Sequence, residues 1–342
     1  MALLFDRHSS VTQPASIPFP PIRVLDGAMA TELERRGCDI SGPLWSAHVL
    51  DDAPAAIAAV HLDYLRAGAD CISTASYQVS ALGYRALAQV PQKSSNEMNA
   101  DPALLAARAL RQSVAIAEQA RSLYALENPR RIWIAASLGP YGAALHNGAE
   151  YHGRYTIGFD DLVAFHAERF AVLAATDGID LLALETIPSL EEARAIVRAL
   201  EPFPALTAWI SFTCRDAAHV AHGEPLRACA EALAVSPQIA AIGINCTAPQ
   251  HIAALIAEAR AGSQAGKPVI VYPNSGETWN GVTRTWQAAT LHGDADAGGF
   301  GELARAWYAA GAQAVGGCCR TGPAHVAAVA EAARTAFPAA SP

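Results

Sequence analysis

Three cysteines, Cys246, Cys318 and Cys319, and two carboxylates, Asp26 and Glu185, stand out in the 342-residue sequence because each follows a short apolar run. Glu185 follows Leu181 to Leu184, Cys246 follows Ile242 to Asn245, and Cys318 follows Ala314 to Gly317. A buried run that ends in an ionisable group is costly unless that group is paired or used. Three thiolates around one point leave a fourth tetrahedral position for a substrate or water, the feature that separates catalytic from structural zinc. Soft sulfur favours zinc among the available divalent ions. Spacing alone leaves the matter open, because no C-x-x-C is present and the adjacent Cys318 and Cys319 read equally as small core residues. Asp26 and Glu185 suit a general acid and base of the glycosidase kind, whose carboxyls lie roughly 5 to 9.5 Å apart. They suit a clamp on an ammonium group equally well, and Asp26 before Gly27 also suits a turn.

Such side chains meet only if the elements carrying them end on the same side of the molecule. Short β-branched and apolar runs alternate with longer Ala-, Leu- and Glu-rich stretches of helical period, the pattern of repeated βα units. Eight strands are expected, at Ile22 to Asp26, Cys71 to Ala75, Ile132 to Leu138, Leu181 to Thr186, Ala208 to Thr213, Ala240 to Cys246, Val269 to Tyr272 and Ala314 to Cys318. Helices are expected between them, among others at Ala53 to Ala67, Pro102 to Ala125, Phe159 to Ala175, Leu190 to Leu200, Gln250 to Ala261, Phe300 to Ala310 and Pro323 to Ala336. The expected class is α/β, a single (β/α)8 TIM barrel over residues 22–337, with an open doubly wound sheet as the runner-up. The G-x-G-x-x-G of a dinucleotide fold is missing after the first strand, and the Gly266-Lys267 pair is followed by Pro268 rather than Ser or Thr. In a barrel the strand ends share one mouth, which here would gather Asp26 and Gly27, Thr74 and Tyr77, Ser137 to Gly139, Glu185, Asn245 and Cys246, Asn274, and Cys318 and Cys319. Two segments exceed what a barrel needs, 90–101 as a surface excursion and 278–299 as a lid over the mouth.

Composition narrows the ligand. Hydrophobic residues make up 52% and charged residues 16%, against about 25% charged in an average soluble protein, so much of the chain must be core. A formal net charge of −8 argues against nucleic acid, which needs a basic footprint. Seven cysteines, an odd number over a long chain, fit a reducing compartment better than a disulfide framework. Residues 1–21 contain an apolar tetrad and four prolines, too short a run for a signal peptide. The expectation is a cytoplasmic protein with no membrane segment, a loose N-terminal arm over 1–21 and a short tail over 338–342. Cys38, Cys71, Cys214 and Cys229 read as core or isolated thiols, and His219 with His222 as a polar surface pair.

Six separated segments are similar to those of zinc-dependent homocysteine S-methyltransferases: Asp26 to Leu33, Arg66 to Asp70 with Thr74 to Gln78, Ala183 to Thr186, Gly243 to Cys246, Val271 to Glu277 and Gly316 to Arg320. Leu44 to Ala47, Ser137 to Gly142 and Tyr272 to Glu277 look most like the branch that uses S-methylmethionine. The resemblance implies a (β/α)8 barrel with zinc held by Cys246, Cys318 and Cys319. It implies a homocysteine amine near Asp26 and Glu185, a carboxylate near the backbone of Ser137, Leu138 and Gly139, and Gly27, Thr74 and Asn245 around the substrate. Trp45 and Tyr77 are the expected donor-facing aromatics, and Asn274 an exchangeable zinc ligand. The partners implied are homocysteine and a sulfonium methyl donor, S-methylmethionine first and S-adenosylmethionine second. A betaine-using or corrinoid-linked methyltransferase, a zinc-independent hydrolase using Asp26 and Glu185, and a thiol or metal sensor are the alternatives.

Overall fold

The computed structural model describes residues 17–40, 49–88, 100–264, 266–276, 278–280, 285–287 and 297–338. Its main sheet has seven parallel strands in chain order: β1 (Cys71–Ser73), β2 (Trp133–Leu138), β3 (Leu181–Ile187), β4 (Ala208–Phe212), β5 (Ile239–Asn245), β6 (Val269–Tyr272) and β9 (Ala312–Val315). Between the last two, β7 (Thr278–Asn280) and β8 (Thr285–Gln287) form a separate antiparallel pair. The strands of the main sheet are buried on both faces, as their near-continuous apolar sequences require. Ala135, Ala183, Trp209, Ala241, Ile270 and Ala314 meet in a small inner cluster, while Ile134, Leu182, Leu184, Ile210, Ile242 and Val271 pack outward against the helices.

The helices follow the sequence pattern closely. Leu190–Leu200 begins at Ser189, whose hydroxyl accepts the Glu192 N–H at 3.2 Å, and buries Ala193, Ile196 and Leu200. Pro102–Glu127 starts on an Asp101 cap with proline in its first turn, and Ala297–Ala310 starts three residues before the expected Phe300.

The expected first strand is irregular. Residues 22–26 make only two isolated parallel bridges, Val24 to Val315 in β9 and Leu25 to Cys71 in β1. The reason is a side chain: Asp70 Oδ2 accepts the N–H groups of both Arg23 and Val24 at 2.9 Å, taking two donors that a regular ladder would use. The sheet is therefore a curled one of seven regular strands, whose two edges are both bridged by this segment.

The described part of the N-terminal arm is not loose. Ile17 N–H donates to Pro237 O at 3.2 Å, and the Phe19 ring meets Trp209 edge-on with centroids 6.3 Å apart. Residues 1–16 and 339–342, most of the 90–101 excursion, and Trp45 lie outside the described residues; of 278–299, only the β7–β8 pair and 297–299 lie inside. Among the described residues, no helix is long and apolar enough to cross a membrane.

One packing contact of the sheet is testable on its own. In β5, a Cβ added to Gly243 would lie 1.9 Å from Ser211 Oγ and 3.0 Å from Ser211 Cα of the neighbouring β4. Overpacking of this kind costs about 1 to 3 kcal/mol. Gly243→Ala should therefore lower the midpoint of thermal unfolding, and an unchanged midpoint would show that the two strands can shift apart freely.

Candidate active site

The sheet brings the three cysteines together. Cys246 follows β5, Cys318 and Cys319 follow β9, and β6 lies between them with Asn245 paired to Tyr272 and Val271 paired to Val315. The Sγ atoms of Cys246 and Cys319 are 3.8 Å apart, those of Cys318 and Cys319 are 3.9 Å apart, and all three lie within 4.8 Å of one another. Sulfurs bound tetrahedrally at about 2.3 Å from one ion would be about 3.8 Å apart. The donor set and its spacing thus fit a zinc-type ion. The loops are fixed by backbone bonds, since Cys318 N–H donates to Pro273 O at 2.7 Å and Ser275 N–H donates to Cys319 O at 3.1 Å.

Two residues here hold left-handed backbone without being glycine, Cys246 at φ 48° and Thr186 at φ 62°. Such positions cost of order 1 to 3 kcal/mol and persist only when the surroundings over-determine them. Asn245 supplies that constraint: Thr186 N–H donates to its Oδ1 at 2.8 Å, and its Nδ2 donates to Thr186 Oγ1 at 2.9 Å and toward Cys318 Sγ at 3.9 Å. Hydrogen bonds from Cys246, Cys319 and Asn245 draw the Cys318 thiol well below its ordinary value, while hydrogen bonding to Cys318 pushes Cys246 well above. One sulfur of the trio is thus the natural seat of negative charge.

Beside the cysteines lies a cavity of about 150 Å³ that Asp26 and Glu185 both line. Ser73 braces Asp26 by donating its N–H to Oδ2 at 2.6 Å and its hydroxyl to Oδ1 at 3.1 Å. The Ser137 hydroxyl donates to Glu185 Oε1. Burial raises Asp26 to about 7 and Glu185 to about 8, with the neighbouring Cys318 and, for Glu185, Asp26 adding to the rise. No Lys, Arg or His lies among the described residues of the cavity wall. A cationic ligand group is the complement this wall lacks.

Of the expected substrate residues, Asp26, Gly27, Thr74, Ser137, Glu185 and Asn245 line the cavity, as does the expected donor residue Tyr77. Leu138 points into the hydrophobic core, and its neighbours' amides are already engaged. Ser137 N–H donates to Thr74 Oγ1 at 3.1 Å and Gly139 N–H to Tyr77 O at 2.8 Å, so neither is spare for a substrate carboxylate. Asn274 lies outside the cavity wall, with its Oδ1 buried and without a hydrogen-bond partner among the described residues. Cys71, Cys214 and Cys229 are buried apart from the trio. His219 and His222 pair with Asp216 and Glu224 at 3.0 and 3.1 Å, as a surface pair would.

Gln78, Glu150 and Tyr151 also line the cavity, from positions beyond the strand ends that the sequence pattern marks. Glu150 and Tyr151 belong to the turn Ala149–Tyr151, which is set between Gly148 at φ 80° and Gly153 at φ 65°. The Asn147-Gly148 pair was the available signal for that turn.

Comparison with known proteins gives a consistent result. The homocysteine S-methyltransferase family matches residues 23–333. The chain is 46% identical over 321 residues to homocysteine S-methyltransferase YbgG of Bacillus subtilis (strain 168), spanning 92% of this chain and 95% of that protein. It is 43% identical over 310 residues to homocysteine S-methyltransferase of Escherichia coli (strain K12), spanning 90% and 94%. Among solved structures, the metallated form of homocysteine methyltransferase MmuM from Escherichia coli superimposes with a TM-score of 0.74 at 39% identity, over 91% of this chain and 96% of that one.

Proposed function

Because the chain belongs to the homocysteine S-methyltransferase family and is a methyltransferase, we propose that it transfers a methyl group from a sulfonium donor, S-methylmethionine foremost, to the thiol of L-homocysteine, giving methionine. The observation that carries this reading is the juxtaposition of three cysteine sulfurs within 4.8 Å of one another with a cavity whose described wall holds carboxylates and no cationic side chain. We also take residues 22–26 for the eighth strand of a (β/α)8 barrel, a reading supported by their bridges to both sheet edges.

Cys246, Cys318 and Cys319 are the residues that would hold zinc, which supplies the acidity a substrate thiol needs, since at a pKa near 8.5 only a few per cent is thiolate at neutral pH. Asp26 and Glu185 receive the homocysteine ammonium, and Ser73 and Ser137 keep their carboxylates aimed. The acceptor thiol gives its proton to solvent, and its sulfur forms a bond to the donor methyl carbon as the donor S–CH3 bond breaks. The electron pair of that bond stays on the donor sulfur, which leaves as a neutral thioether, so no protein acid is needed for the leaving group. The carboxylates therefore act by binding, which separates this reading from a hydrolase. Thr74, Asn245 and the left-handed Thr186 and Cys246 hold the mouth rigid around the reacting atoms.

A donor panel at saturating homocysteine tests the assignment. S-methylmethionine should give the highest kcat/KM, S-adenosylmethionine a lower one because of its bulk, and glycine betaine the lowest because it has no amino-acid head and a nitrogen leaving group. Betaine turnover equal to or above that with S-methylmethionine would overturn the donor assignment.

A further inference from the structure

We propose that Glu150 is the residue that selects a positively charged methyl donor, facing the donor's sulfonium from a wall it shares with Tyr77 and Tyr151. The inference rests on the sulfonium-to-homocysteine reading above and adds to it a residue and a charge preference.

Glu150 is 5% exposed and lines the cavity. Its Oε2 is buried and has no hydrogen-bond partner among the described residues. Asp26 and Glu185 differ in this respect, because serines donate to both. Burial raises Glu150 to about 7, so its charged form, with one oxygen unpaired, is costly until a cationic partner arrives with the ligand. The wall offers no Lys, Arg or His for the purpose among its described residues. The position is also built: a Cβ added to Gly142 would lie 2.4 Å from Glu150 N, so the turn carrying Glu150 packs where only glycine leaves room.

The same turn sits against the cysteines, since Tyr151 Oη is 3.9 Å from Cys246 Sγ. A methyl group in flight must start about 3 to 3.5 Å from the acceptor sulfur. The cationic centre of the donor therefore stands near the cysteine trio, where Tyr151 meets Cys246, and its chain neighbour Glu150 and Tyr77 line the same cavity. Aromatic faces add attraction for such a cation. Asp26 and Glu185 are left for the homocysteine ammonium.

The placement has a kinetic signature. The sulfonium charge disappears as the methyl leaves, so a carboxylate facing it stabilises bound donor more than the transition state. Glu150 then lowers the donor KM without raising kcat.

The test compares wild type with Glu150→Gln, using S-methylmethionine as donor. The donor KM should rise about tenfold or more, as expected for removal of one partner of a buried charge pair, while kcat stays the same or increases. Homocysteine Kd and zinc content should not change. The carbon isostere 2-amino-5-methylhexanoate, used as a competitive inhibitor, should bind wild type at least about tenfold more weakly than the sulfonium and should not distinguish the variant. An unchanged donor KM in Glu150→Gln, a fall in kcat alone, or equal wild-type affinity for isostere and sulfonium overturns the proposal. The last comparison needs no variant. If wild type fails to turn over S-methylmethionine at all, the functional reading falls and this inference with it; turnover with an unmoved KM in the variant overturns this inference alone.

Discussion

Cys318→Ser should leave the protein folded but without stoichiometric zinc, and methyl transfer should fall by about a thousandfold or more, since metal binding depends on every deprotonated ligand. The sulfur geometry sets this expectation. Cys318 and Cys319 are adjacent in sequence with Sγ atoms 3.9 Å apart, Cys246 completes the trio, and no other His, Cys, Asp or Glu joins them among the described residues. Three ligands leave no redundancy. Serine is close in size, but an alcohol is far less acidic than a thiol and holds its proton where each of the three cysteines can ligate as thiolate. Cys246→Ser and Cys319→Ser should behave alike. Cys229→Ser is the control, because Cys229 is buried in the helix Leu226–Ala234 away from the trio. The check is metal analysis of the reduced proteins beside initial rates, with unfolding midpoints in chelator to show that all variants fold alike. Full activity in Cys318→Ser, or in metal-free wild type, would end the zinc reading.

The cysteine trio and the two carboxylates were legible because a parallel strand buried on both faces has only its end free for chemistry. Apolar runs ending in Glu185, Cys246 and Cys318 therefore mark the mouth in the sequence itself. The first strand was legible as apolar sequence, but its irregularity was not. That depends on Asp70, some 46 residues away, taking the amides of Arg23 and Val24. Long-range side-chain bonds of this kind leave no local pattern. Ser137 to Gly139 show the same limit: proximity to the mouth was readable, yet the prior engagement of two amides by Thr74 and Tyr77 was not. Phe19, placed in a loose arm by its proline-rich context, packs on Trp209. Glu150 escaped because it follows the end of β2 by 12 residues, on a turn whose packing over Gly142 is tertiary.

Glu185→Gln should weaken homocysteine binding by about one to two orders of magnitude at pH 9, in line with the roughly 1.5 to 3 kcal/mol of a charge-assisted hydrogen bond, while zinc content is unchanged. The pH matters because of where the carboxyl titrates. Burial raises free Glu185 to about 8, so below that pH it is mostly protonated, and a proton must leave before an ammonium can be held as an ion pair. The wild-type advantage over Glu185→Gln is therefore full above pH 8 and shrinks about tenfold for each unit below it, until the two proteins converge. Asp26, raised to about 7, adds a second loss of affinity that falls at lower pH in Glu185→Gln than in wild type, because the two carboxyls raise one another. Taking the ratio of the two dissociation constants at each pH cancels ionisation of the substrate, and from about pH 7 upward it reports chiefly on Glu185. Isothermal titration with homocysteine from pH 6 to 9 measures it directly. A ratio independent of pH would remove Glu185 from the ammonium site, and intact homocysteine affinity with abolished turnover would make it an acid or base instead.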